Sequence, residues 1–190
     1  QAVVGGRQGG ITVLGLAAAG ASMKICDNSL NVSGAGITAG VDGLWVEGNK
    51  VASLTDAATR VAGSSGITLT SGLDPNGSDQ CQVLANQVSG FDAAGIRIAA
   101  PVKQMIVKLN IVSGCGNGIV AEDDARAGHL SIENNQVSDI GQRGAPANAE
   151  VVGIGLVRAD SASVVGNRVQ RIGVLATNAA LRAGIAATAV

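Results

Sequence analysis

The sequence predicts an all-β fold, a right-handed parallel β-helix solenoid of about six coils with three short strands in each. Two recurring motifs and one compositional imbalance predict it. The pair Asn-x-(Val/Leu) recurs at Asn28, Asn49, Asn86, Asn110, Asn135 and Asn167, and a Gly-Ile pair recurs at Gly10, Gly36, Gly66, Gly95, Gly118, Gly153 and Gly184. The imbalance is 28 glycines against one Trp, one Phe and no Tyr. A domain of this size ordinarily anchors its core with several rings, so another packing device must replace them.

The first strand of each repeat leads into the Asn. Five residues before it stand Met23, Leu44, Cys81, Met105, Leu130 and Ala162, and three before it stand Ile25, Val46, Val83, Val107, Ile132 and Val164. This is the period-2 pattern of a strand with one buried face. The second strand follows the Asn, with Leu30, Val51, Val88, Val112, Val137 and Val169 two residues on. Five residues on, past a Gly, Ser or polar corner, come Ser33, Leu54, Phe91, Cys115, Ile140 and Ile172, a column broken only by Ser33. The third strand starts at the Gly-Ile pair and places Val13, Ala39, Leu69, Ile98, Ala121, Leu156 and Ala187 two residues beyond the Ile.

Three strands per repeat with no helical period between them cannot make βαβ units, whose parallel crossover normally holds a helix. A coil that climbs one strand spacing per turn solves the pairing, and each column becomes a stack of like side chains about 4.8 Å apart. Aliphatic ladders then stand in for rings. The Asn column is expected at a corner with left-handed geometry, which Asn tolerates, with each amide bonded to the amides above and below. From the sequence alone, replacing Asn110 or Asn135 by Leu is expected to cost roughly 1–3 kcal/mol through unpaired buried amides.

Composition narrows the function classes. The 190 residues allow one domain, 46% are hydrophobic and 14% charged, and the net charge is −1. Lys and Arg are scattered singly, which gives no electrostatic footprint for nucleic acid or anionic lipid. The longest apolar stretch, residues 11–21, is half of what a membrane span requires, and no basic segment with a cleavage pattern precedes it. Three cysteines at irregular spacing argue for free thiols, and a single His129 leaves little room for histidine chemistry or a multi-His metal site. No cofactor is expected. The chain opens and stops inside what should be coils, so the caps a solenoid needs are expected elsewhere on a longer chain.

Segments such as Ile132-Glu133-Asn134-Asn135-Gln136-Val137, leading through a corner to Gly-Ile, resemble the repeats of the pectin-lyase-like superfamily. The resemblance covers nearly the whole chain and is specific for fold. It implies an extracellular or particle-associated setting, but the superfamily spans polysaccharide lyases, hydrolases, phage tailspikes and non-catalytic modules, so chemistry must be argued from residues.

The best catalytic candidates are Glu122, Asp123 and Asp124, followed by Gly128-His129. The polygalacturonases of the superfamily carry Asp-Asp and Gly-His pairs on successive coils beside Asn-Thr-Asp. Here both pairs fall within one coil, and the preceding coil reads Gly95-Ile96-Arg97-Ile98. A calcium-dependent lyase needs carboxylates on neighbouring coils and an Arg base, a set that Glu122, Asp124 and Asp160 with Arg158 or Arg97 imitate loosely.

Corners inserted at residues 55–65, 141–151 and 173–182, and at 70–80 around Asp74-Pro75-Asn76-Gly77, are expected as surface loops. On the strand before Asn, the outward residues Trp45, Leu84, Ile106 and Val165 suggest an apolar stripe for self-association or for a neighbouring domain. The leading expectation is a non-catalytic structural or interaction module of a larger extracellular, appendage-like or spike-like protein. The second is a polysaccharide lyase or glycoside hydrolase acting on the Gly-Ile strand face, with polysaccharide as the partner.

Overall fold

The computed structural model describes residues 9–14, 22–54, 61–70, 79–122, 127–141, 150–157, 159–173 and 181–187. The inserted corners thus lie largely outside the described residues. The Gly-Ile strands form a seven-stranded parallel sheet of β1 (Ile11–Leu14), β4 (Ile37–Gly40), β7 (Ile67–Leu69), β10 (Ala94–Ile98), β13 (Asn117–Ala121), β16 (Glu150–Leu156) and β19 (Leu181–Ala187). The strands before each Asn form a six-stranded sheet of β2 (Met23–Cys26), β5 (Leu44–Glu47), β8 (Cys81–Leu84), β11 (Gln104–Lys108), β14 (Ala127–Glu133) and β17 (Ala159–Val165). Those after it form a third, of β3 (Ser29–Val32), β6 (Lys50–Ser53), β9 (Gln87–Ser89), β12 (Ile111–Ser113), β15 (Gln136–Ile140) and β18 (Arg168–Ile172). Each strand pairs with its equivalents one coil away, and the three sheets wind one β-helix.

Register follows the columns read from sequence. Met105 pairs with Cys81 and Leu130, Val112 with Val88 and Val137, and Ile96 with Ile67 and Ile119. These side chains point inward and form one continuous core with Phe91, Cys115 and Ile140. Ser33, the exception in its column, is buried with them. Like residues stacked at one strand spacing keep methyl groups in contact along the axis, so dispersion and burial add coil by coil without aromatic anchors.

The Asn column is a ladder with a direction. The backbone N–H and Nδ2 of each Asn both donate to Oδ1 of the Asn one coil on: Asn86 to Asn110 at 2.9 and 2.9 Å, and Asn110 to Asn135 at 2.9 and 3.0 Å. Nδ2 also donates backward, Asn110 to the Val83 carbonyl at 2.8 Å and Asn135 to that of Val107 at 2.9 Å. The same pattern links Asn28 to Asn49, Asn49 to Asn86, and Asn135 to Asn167. Asn86, Asn110 and Asn135 are fully buried, and these bonds satisfy their amides.

One expectation is corrected. The left-handed residue at this corner is not the ladder Asn but the one before it: Asp27, Gly48, Ala85, Leu109, Asn134 and Gly166, with φ between 52° and 67°. Asn is therefore kept in the column for its amide, while the turn is made by its predecessor. Asp, Asn and Gly accept that conformation readily, whereas a leucine in it carries roughly 1–2 kcal/mol of strain. Leu109→Asn is expected to raise stability by about 1 kcal/mol, read as a melting temperature higher by roughly 2–4 °C.

Candidate functional site

Of the sequence-derived catalytic candidates, Asp123, Asp124 and Arg158 lie outside the described residues. Glu122 directly follows β13 and is held by Arg97 of β10 in a two-pronged ion pair, Nε to Oε1 at 2.7 Å and Nη2 to Oε2 at 2.8 Å. The Glu122 hydrogen bond also raises the pKa of the Arg97 guanidinium. Acid and base candidates thus neutralise each other across one coil. Asp160 sits on β17, in a different sheet, and is exposed. Among the described residues no three His, Cys, Asp or Glu side chains converge.

His129 projects from the outer face of β14, in register with Gln104 on one side and Ser161 on the other. None of the three cysteines is joined in a disulfide. Cys81 and Met105 are neighbours in an inward column, and Cys115 is buried at a separate corner.

The expected apolar stripe divides in two. Trp45 and Ile106 fall in one outward column, separated by Gln82. Leu84 and Val165 fall in the next, separated by Lys108 and Glu133. The size of each residue's offset from its Asn carried this information: Trp45 and Ile106 stand four residues before it, Leu84 and Val165 two. Lys24 further covers Trp45, its ammonium 4.7 Å from the ring centroid.

Two hollows lie on the outer face of this sheet. One, of about 370 Å³, is lined by Asp42, Trp45, Asp79 and Gln82 among others, but the chain meets its own charges there. The Asp79 N–H donates to Asp42 Oδ1 at 2.8 Å, and Lys103 lies 4.0 Å from the Asp79 carboxylate. The other, of about 300 Å³, runs between the column Gln104, His129, Ser161 and the column Ile106, Ser131, Ser163. Among the described residues no carboxylate lines it.

Beside this groove Ile106 is 38% exposed, and past the corner Leu109 and Ile111 are 55% and 41% exposed. Leu84 and the left-handed Ala85 stand one coil back. Ile111 escapes the sequence pattern because the outward positions on the strand after Asn are mostly polar, Lys50, Gln87, Gln136 and Arg168, and read as a solvated face, and Leu109 because it stands at the corner between the two strands.

The remaining ion pairs tie coils together at the surface. Glu133 accepts from Ser131 Oγ at 2.6 Å and pairs with Lys108 at 3.2 Å, and both contacts hold its pKa below the usual carboxylate range. Asp139 is held low by its hydrogen bonds from Arg171, at 2.5 and 2.6 Å. A carboxylate whose folded pKa is depressed adds stability above its unfolded pKa and loses it as pH falls through the folded value. These groups are exposed, so the effect is small. Thermal melts are expected to be flat around neutral pH and to decline only below the ordinary carboxylate range.

No curated protein and no solved structure matches the chain. The family model described as periplasmic copper-binding protein (NosD) matches residues 7–182, nearly the full length. That family is built as a right-handed parallel β-helix, as are the three in-register parallel sheets found here. The chain therefore belongs to the NosD family.

Proposed function

We propose that this chain is a non-catalytic β-helix module of a protein that works outside the cytoplasm, serving as a rigid scaffold and interaction surface. The observation that carries this reading is the Arg97–Glu122 pair, which removes the one described carboxylate of the acidic triplet from acid–base work. The family's description supports a periplasmic setting. The Asn ladder and aliphatic columns supply the rigidity such a scaffold needs.

The family's description also names copper, and the donor set of this chain does not fit it. Protein copper sites draw on imidazole, thiolate and thioether ligands brought to one point. The whole sequence holds one His, three Cys and two Met. Cys81, Met105 and Cys115 are sealed in the core, His129 projects to the outside, and the more accessible Met23 and Cys26 stand three residues apart on β2, on opposite faces of that strand. Equilibrium dialysis against Cu(II), and against Cu(I) under reducing conditions, is expected to show no stoichiometric uptake. One equivalent bound with a defined absorption or spin signature refutes this.

The enzymatic alternative is tested on the same protein. Incubation with polygalacturonate, with and without Ca²⁺, is expected to give neither unsaturated products nor new reducing ends. Turnover that disappears in an Asp123→Asn, Asp124→Asn double variant would establish the lyase or hydrolase reading instead.

A further inference from the structure

We infer that the hollow lined by Asp42, Trp45, Asp79 and Gln82 is a binding site for a small aliphatic diammonium ligand, with one ammonium on the Trp45 ring and the other at the two carboxylates. The site goes beyond the scaffold reading and does not depend on it. The chain's own cations mark it. The Lys24 ammonium stands 4.7 Å from the centroid of the Trp45 ring, and the Lys103 ammonium stands 4.0 Å from Asp79 Oδ2. Neither lysine is among the residues that line the hollow, yet each brings its charged end to a different lining residue. Two positions that accept an ammonium are thereby marked, one an aromatic face and the other a carboxylate.

The arrangement is fixed by backbone. Asp42 and Asp79 each stand two residues ahead of the first, buried residue of their strands, Leu44 and Cys81, and so occupy the same corner on successive coils. The Asp79 N–H donates to Asp42 Oδ1 at 2.8 Å, and the Gly43 N–H donates to the Asp79 carbonyl at 2.8 Å, which holds the two residues against each other. Trp45, half-buried, and Gln82 are neighbours in one outward column. Among the described residues, the charged members of the lining are these two aspartates, so the charge that suits the hollow is positive. At about 370 Å³ it has room for a small molecule. An ammonium gains on both surfaces, by attraction to the ring face and by charge-assisted hydrogen bonds to carboxylate. A bare divalent ion fits less well, because it wants six or more oxygen ligands and makes no use of the ring. The two lysines hold their places weakly, since the Lys103 side chain is 59% exposed and each long stem must be ordered separately. A ligand that carries both ammoniums on one short stem makes the second contact intramolecularly. Lys24 is then a competitor for the ring as well as its marker.

Calorimetric titration of the whole chain with putrescine and with spermidine, at fixed ionic strength, measures binding, and Trp45, the one Trp of the chain, reports its place through fluorescence. The expected result is saturable binding of one equivalent, with a change in Trp emission that follows the same curve. Lys24→Gln is expected to tighten binding roughly two- to fivefold by removing the competitor. Lys50→Gln makes the same change of charge on the exposed side of β6, in another sheet, and is expected to bind as the parent does. Asp79→Asn keeps the backbone bonds of the corner and is expected to weaken binding roughly tenfold with little change in melting temperature. Absence of heat or of a Trp response to either amine up to about 10 mM overturns the inference. So does a response that NaCl, CaCl₂ or a neutral disaccharide reproduces, or equal affinities in Lys24→Gln and Lys50→Gln. Any of these results leaves the scaffold reading standing, because that reading falls on copper uptake or polysaccharide turnover.

Discussion

Replacing Asn110 by leucine is expected to cost about 3–5 kcal/mol, more than the sequence alone implied, because the ladder concentrates two acceptances and two donations on one buried amide. Without it, the Asn86 N–H and Nδ2–H lose their shared acceptor, and the Val83 carbonyl loses a donor. Asn135 Oδ1 keeps one partner, the backbone N–H of residue 110. Two or three orphaned groups at about 1–3 kcal/mol each, partly relieved by relaxation, give that figure. It is a large share of the roughly 5–15 kcal/mol that holds a domain folded. Asn28→Leu is the control. Asn28 is only half-buried and accepts from no earlier ladder residue among those described, so its loss is expected to cost under about 1 kcal/mol. Urea midpoints of the two variants separate the ladder from a generic amide effect.

The direction of the ladder adds a pH test. In Asn110→Asp, a protonated carboxyl can still donate to Val83, whereas the ionised form sets a carboxylate oxygen against that carbonyl. Burial raises the folded pKa of the new side chain above its unfolded value. The variant is therefore expected to be closest to the parent in acid and to lose stability as pH rises through the folded pKa. A variant whose deficit is independent of pH would mean that the Val83 contact does not matter.

The second large effect is expected at Gly118→Ala. A methyl group there would overlap the carbonyl oxygen of Gly153 on the next coil and approach Val137 Cγ1 to 2.5 Å. Backbone oxygen cannot rotate away, so coils must separate or the corner must shift, at about 3 kcal/mol. Among the described residues the same substitution at Gly184 meets only Val169 Cγ1 at 3.8 Å, ordinary contact, and is expected to be nearly neutral apart from backbone entropy. If thermal melts show equal losses for the two, the Gly-Ile glycines are kept for some reason other than the close approach of successive coils.

Strand identity, inward columns and the Asn ladder were legible because each depends on residues within five positions of a repeating landmark. That is why intervals of 21 to 37 residues between landmarks did not obscure the register. The extra residues loop out between strands without changing which side of a strand faces in. The left-handed corner was misplaced by one residue. Asp27, Gly48, Asn134 and Gly166 carried the signal, but Ala85 and Leu109 masked it, and the Asn column offered a plausible turn former next door.

What chain order could not supply was the partnership of residues a coil or more apart on the outer surface, where no repeating pattern constrains side chains. Arg97 and Glu122 were both noted as site candidates, but their ion pair depends on the climb of one coil onto the next. The apolar stripe read from four residues became two interrupted columns, and further exposed aliphatic residues, Leu109 and Ile111, stand at and past the corner that follows Ile106. The sequence by itself determined the coil, since period-2 burial and a repeated amide are local properties that every turn restates. Only the tertiary structure decided the surface, since there contact is set by stacking and by the bend between sheets, to which sequence distance bears no fixed relation.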